Sequence, residues 1–183
     1  YSFGFMVVLG VFLSLYLMSR LRLKTGFPPS AQYIFDLVFV TALTGFLGGR
    51  LFYVVQNWGW YLEQPLRIFA LWEGGLIFYG GVFGSLLGLF LFCRFRKISY
   101  IKSLDFLLPH VALTQGFGRI GCFLNGCCYG RVCDLPWATR FPEWPEAVHP
   151  TQLYEAIFDF GLFFLLRARY LKKKFDGQTL TLY

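Results

Sequence analysis

One cation, Arg119, stands among five glycines in Gly116-Phe-Gly-Arg-Ile-Gly-Cys-Phe-Leu-Asn-Gly-Cys-Cys-Tyr-Gly130, at the end of an apolar run. Glycine lets backbone N–H groups come close to a ligand, and successive amides of this kind form anion-binding concavities. Arginine adds a planar, permanently charged fork that meets a phosphate at two points. An arginine at membrane depth is costly and marks a functional site by default. The plainer alternative is a glycine-rich turn whose arginine snorkels to the headgroups.

Two other stretches carry groups of the same kind. Phe78-Tyr-Gly-Gly81 places the hydroxyl of Tyr79 beside two residues, Gly80 and Gly81, where backbone can be approached. His149-Pro-Thr-Gln-Leu-Tyr-Glu155 opens an apolar run, and Glu155 and Asp159, four apart, share a helix face from which they could pair with Arg50 or Arg119. Arg50 is a second arginine at membrane depth, as apt to anchor an interface as to hold a ligand. Asp105 and His110 are candidates for a polar network. Cys122, Cys127, Cys128 and Cys133 lie in one short stretch. They are open to three readings: a metal site, an outer-side disulfide from Cys127 or Cys128 to Cys133, or inert thiols.

The elements that must position these groups are membrane helices. The chain has 183 residues, 56% hydrophobic and only 15% charged, with 23 phenylalanines. Such a composition excludes an ordinary soluble core and predicts an all-α, polytopic helical bundle. Five spans are expected: 1–18, 33–55, a third ending near Cys93, 104–117 with a kink at Pro109, and one from the His149 stretch to Leu166. Gly45 with Gly49, and Gly80 with Gly84 and Gly88, have the spacing that packs helices closely. Residues 57–72, rich in Trp and Tyr, read as an interfacial segment on the outer side. The stretch 131–150 reads as an outer loop. Tyr1 already lies inside an apolar run and a new segment is expected to begin at Gly177. Residues 1–183 are therefore expected to be one integral-membrane domain cut at both ends, with about seven spans in the whole protein.

The charge of +7 does not point to nucleic acid. Twelve of the 17 Lys and Arg fall in three clusters, after the first, third and fifth expected spans. The positive-inside rule puts those clusters in the cytoplasm and the N-terminal end outside. The Arg119, Tyr79 and His149 stretches then share the outer side. Anionic lipid of the inner leaflet accounts for the clusters.

Together, Gly118-Arg-Ile-Gly-Cys-Phe-Leu-Asn-Gly126, Phe78-Tyr-Gly-Gly81, His149-Pro-Thr-Gln-Leu-Tyr-Glu155 and Gly48-Gly-Arg-Leu-Phe-Tyr53 resemble the bacterial prolipoprotein diacylglyceryl transferases. The resemblance implies transfer of a diacylglyceryl group from phosphatidylglycerol to the lipobox cysteine of a prolipoprotein signal peptide, in the bacterial cytoplasmic (inner) membrane, without cofactor or metal. It implies catalytic roles for Tyr79, Arg119, His149 and Glu155. Phosphatidylglycerol would be held by Arg119, Gly80, Gly81, Gly118, Asn125, Gly130, Gln152 and Arg50. The chain departs from the family pattern at Tyr79, where a histidine is usual, at Cys122 for Asn, at Cys127 for Glu, and at Phe3 for Tyr. A neutral tyrosine is no base near pH 7, so Glu155 or His149 enters the proton path. Two other classes compete: a transporter or channel, which would need polar groups reaching both faces, and a thiol-redox or metal-binding protein built on the cysteines.

Overall fold

In the computed structural model, described for every residue except Tyr1, Leu71, Glu73 and Glu143, six α-helices carry the chain. They are α1 (Ser2–Thr25), α2 (Ala31–Gln56), α3 (Trp58–Glu63), α4 (Phe78–Arg96), α5 (Tyr100–Leu124) and α6 (Thr151–Leu171). The start of the first expected span at Tyr1 and the residues Glu73 and Glu143 of the outer stretches lie outside the described residues. Helices α1, α2 and α4 are long and apolar enough to cross a membrane. Phe5, Phe12, Phe39, Leu47, Phe83 and Leu87 on them are exposed. Side chains of this type face outward only where lipid replaces water. The molecule is a helical membrane protein.

The chain's own contacts gather it into two compact units, residues 28–100 and residues 1–27 with 101–183. In the unit 28–100, α2 and α4 cross through their glycines. A Cβ on Gly48 would meet the Gly80 carbonyl and lie 2.8 Å from the Gly84 Cα, and one on Gly84 would lie 3.0 Å from the Gly48 Cα. Only hydrogen fits at both positions, so the backbones touch, on α4 at the expected Gly80 and Gly84 and on α2 at Gly48, between the expected Gly45 and Gly49. Ser30 caps α2 by accepting from the Tyr33 amide at 3.1 Å. Lys97, in the left-handed conformation, ends α4. Asp36 and Arg96 join the two helices in an ion pair.

The other unit packs α1, α5 and α6 around Ala112, Leu113 and Phe163, with Leu13, Leu17, Phe117, Phe160 and Leu162 against them. The Ser14 and Thr114 hydroxyls meet at 2.9 Å between α1 and α5. Helix α5 continues through Pro109 to Leu124. The expected outer loop instead contains a hairpin, β1 (Thr139–Phe141) paired antiparallel with β2 (Trp144–Val148).

The C-terminal residues are those at which a further span is expected to begin. They fold back on Asp105, which is fully buried. Its carboxylate accepts from the amides of Gly177 at 2.7 Å and of Thr179 and Leu180 at 3.1 Å each. Lys173 lies 3.6 Å away. A buried carboxylate needs such donors and a cation to remain charged. Asp105 is therefore an anchor for this segment and forms no network with His110, whose Nδ1 meets the Phe106 carbonyl at 3.0 Å. Beside it, contact with Lys173 holds the Asp176 carboxyl below its ordinary range.

Candidate active site

Arg119 sits on the last turns of α5 and Glu155 on the second turn of α6. An Arg119 guanidinium nitrogen lies 2.7 Å from the Glu155 carboxylate, with the side chains 32% and 43% exposed. The pairing expected from the shared face of Glu155 and Asp159 is thus made by Glu155. Asp159, one turn further along α6, is buried, and its Oδ2 has no hydrogen-bond partner among the described residues. A Cβ added at Gly118 would meet nothing within 4 Å, so the backbone next to Arg119 is open to an incoming group.

The His-Pro stretch and the glycine-rich stretch fold against each other. Gly130 donates its amide to the His149 carbonyl at 2.9 Å, and the His149 amide donates to the Arg131 carbonyl at 3.1 Å. A Cβ at Gly130 would lie 2.8 Å from Thr151 Cγ2 and 2.9 Å from His149 Cβ. Gln152 is fully buried and donates from Nε2 to the Cys127 carbonyl at 2.6 Å. Thr151 donates to the Cys128 carbonyl at 3.0 Å. The first turn of α6 therefore shapes the loop that follows Arg119. Gly130 and Gln152 hold that loop. Asn125 is exposed at its start.

His149 Nδ1 and the Tyr154 hydroxyl are 3.3 Å apart, and Trp137 Nε1 donates to the same hydroxyl at 2.7 Å. This Trp137–Tyr154–His149 chain orients the imidazole. Sequence reasoning missed it, because Trp137 carries no spacing signal toward residue 154.

In the unit 28–100, Tyr79 opens α4 and is 69% exposed. Gly80 is buried in the helix crossing, where a Cβ would lie 2.6 Å from the Gly48 carbonyl and from Phe52 Cβ, and Gly81 is half-buried beside it. Gly80 is packed against α2. Of the two readings open for Arg50, its contacts here are those of an anchor. It is 5% exposed and donates to the carbonyls of Arg67, Ile68, Ala70, Gly74 and Gly75. A guanidinium has five N–H donors, so none is left for a phosphate. Arg50 binds the interfacial segment, with the Tyr53 and Tyr61 rings over it.

All five cysteines are free. The expected Cys127 or Cys128 bridge to Cys133 is not formed. Cys133 is placed by its amide on the Ala147 carbonyl, while Cys127 and Cys128 turn toward Cys122. Contact with Cys127, then burial, pushes the Cys128 thiol up.

The family model described as prolipoprotein diacylglyceryl transferase matches residues 1–183, the whole chain. The chain belongs to this family. It is 36% identical over 188 residues to the phosphatidylglycerol–prolipoprotein diacylglyceryl transferase of Clostridium tetani, covering 100% of this chain and 74% of that protein. To the enzyme of the same name from Bordetella avium it is 43% identical over 158 residues, 84% of this chain and 60% of that one. To that of Geobacter sulfurreducens it is 37% identical over 166 residues, with 90% and 64% covered. The Arg119–Glu155 pair of this chain joins the last turns of α5 to the second turn of α6.

Proposed function

We propose that this protein transfers the diacylglyceryl group of phosphatidylglycerol to the thiol of a prolipoprotein's lipobox cysteine. One observation carries the site assignment. Arg119, in the glycine-rich stretch, is paired at 2.7 Å with Glu155 of the His-Pro stretch, and both are open to a ligand. The phosphodiester of the lipid docks on the Arg119 fork, approached past Gly118 and Asn125. The cysteine thiol loses its proton toward Glu155 or His149, since the thiolate is the nucleophile. Its sulfur attacks the glyceryl carbon, the carbon–oxygen bond breaks, and glycerol phosphate leaves with a second negative charge. Arg119 stabilises that charge as it develops. The Tyr79 hydroxyl is exposed at the start of α4 and keeps the catalytic role that the family resemblance implies for it.

Helices α1, α2, α4, α5 and α6 are the five spans of this arrangement, in the bacterial cytoplasmic membrane, with the N-terminal end outside and the basic clusters in the cytoplasm. An impermeant thiol reagent should reach a cysteine introduced at Glu146 and not one at Lys173; the opposite pattern would reverse the orientation. The transporter alternative has no matching support, because Arg119, Glu155 and His149 gather at the α5–α6 loop end and not along a path through the bundle.

The reaction itself is tested by incubating the intact protein with phosphatidylglycerol and a lipobox peptide. A thioether-linked diacylglyceryl peptide, seen by mass spectrometry, is expected. A peptide recovered unmodified would remove the proposal.

A further inference from the structure

The Tyr154 hydroxyl stands between two side chains of different chemistry. Trp137 Nε1 donates to it at 2.7 Å, and His149 Nδ1 lies 3.3 Å from it. An indole has one N–H and no acceptor, whereas a neutral imidazole carries its proton on either ring nitrogen and accepts at the other. The direction of the chain is therefore set at its Trp137 end. The Tyr154 oxygen accepts from Trp137, its own O–H points to His149 Nδ1, and the imidazole proton is left on Nε2. Hydrogen bonds that run one way along a chain polarise and strengthen one another.

The main chain around His149 is fixed as well. Its carbonyl accepts from the Gly130 amide at 2.9 Å and the Thr151 amide at 2.8 Å, and its own amide donates to the Arg131 carbonyl at 3.1 Å. Only the two side-chain torsions remain. The bond to Tyr154 sets them, with the two rings edge to face at 69° and their centroids 6.1 Å apart. Trp137 and Tyr154 are 58% and 40% exposed. Neither fills a core, so what their contact does is hold the imidazole.

We propose that Trp137 and Tyr154 are positioning residues that keep His149 as its Nε2–H tautomer, so that the imidazole donates a hydrogen bond to the phosphodiester of the lipid and does not take the proton of the substrate thiol. The proposal rests on the transferase function and divides its proton path. The one lone pair that a neutral imidazole offers in its ring plane is, on His149, engaged by the Tyr154 hydroxyl. Glu155, a carboxylate beside Arg119, accepts the thiol proton instead. The sulfur–carbon bond forms as the carbon–oxygen bond breaks, and the electron pair passes to the phosphate oxygen. The Arg119 fork and the His149 Nε2–H then meet the growing charge together. The His149 proton stays on its ring throughout, and no oxidant or reductant is needed.

The first test needs no substrate. The chain has two histidines, His110 and His149, so NMR of isotope-labelled histidine nitrogens in the intact protein reads both rings. The signals lost in His149→Gln identify His149. At about pH 8.5, where imidazoles are neutral, His149 should show the Nε2–H tautomer alone, and Tyr154→Phe should turn it into a mixture with the Nδ1–H form. An Nδ1–H ring in the parent, or a spectrum unmoved by Tyr154→Phe, would overturn the tautomer. The second test is peptide lipidation. His149→Ala should lose on the order of a hundredfold in kcat, as for one donor to developing charge. His149→Gln replaces the donor with an amide N–H that is no base, and should keep at least about a tenth of the parent rate. Because coupled residues do not add, Tyr154→Phe should cost about tenfold in the parent and less than about twofold in the His149→Gln background. Equal losses in His149→Ala and His149→Gln, or equal costs of Tyr154→Phe in both backgrounds, would overturn the donor role. The two readings fail separately: the expected tautomer without any transfer refutes the transferase function alone, and transfer by a protein with an Nδ1–H ring refutes this proposal alone.

Discussion

Arg119 of α5 and Glu155 of α6 meet at 2.7 Å, and neither side chain is buried. Exposed ion pairs contribute only about 0.2–1 kcal/mol to stability, so this pair is too weak to be explained as a staple between the helices. We assign its use to chemistry instead. Glu155→Gln should therefore shift thermal unfolding by less than about 1 kcal/mol while cutting peptide lipidation at least tenfold. A variant that unfolds early in proportion to its lost activity would make the pair structural.

Arg50 is the reverse case. Its five donors are all used on main-chain carbonyls of residues 67–75. Removing them exposes those acceptors to a partly apolar surrounding, at about 1–3 kcal/mol for each group that finds no water. Arg50→Met should destabilise the protein by on the order of 3 kcal/mol and open residues 65–75 to protease. Arg50→Lys should not restore protection, since three donors on a point charge cannot replace a planar five-donor fork. Unchanged proteolysis would show that the clamp is dispensable.

Gly48→Ala would drive a methyl into the Gly80 carbonyl and the Gly84 Cα. Both obstacles are backbone and cannot rotate away, so the helices must part, at about 1–3 kcal/mol. Gly161→Ala on α6 meets nothing within 4 Å and should be neutral or gain up to about 1 kcal/mol from helix propensity. Chemical or thermal unfolding of both variants checks the contrast, and equal stabilities would show that α2 and α4 are not in backbone contact.

These contrasts show which parts of the molecule were legible in its sequence. The α2–α4 crossing was, because small residues four apart leave few other uses in a membrane helix. The Arg119–Glu155 pair was also within reach, since helical periodicity fixed the face of Glu155. Asp105 was not. Its partners are amides 72 to 75 residues away, and a backbone N–H carries no residue code. Arg50 was opaque for the same reason, its acceptors being carbonyls. The hairpin 139–148 was hidden by Pro142 and Pro145, which read as loop, and by strands too short to show alternation. The approach of Cys127 and Cys128 to Cys122 needed the left-handed turn at Cys128, a conformation that composition does not announce.

Tyr79 offers a separate test, of the catalytic role that the family resemblance implies. It is 69% exposed and not needed for packing, so Tyr79→Phe should fold normally and lose activity several-fold through its missing hydroxyl. Tyr79→His should keep part of it, as the residue usual in the family. Full activity with phenylalanine would leave Tyr79 as a boundary anchor only.

The central claim is that Arg119 binds and stabilises the lipid phosphate. The most direct measurement is the lipidation rate of Arg119→Ala against Arg131→Ala, each normalised to folded protein in the membrane. Arg131 is exposed in the same loop and serves as the charge control. Loss of one donor aimed at developing charge costs on the order of a hundredfold or more in turnover. Arg119→Ala should fall by that amount, Arg119→Lys nearly as far, and Arg131→Ala should stay near the parent rate. Equal rates for Arg119→Ala and Arg131→Ala would contradict the account and return Arg119 to the role of a snorkelling interface residue.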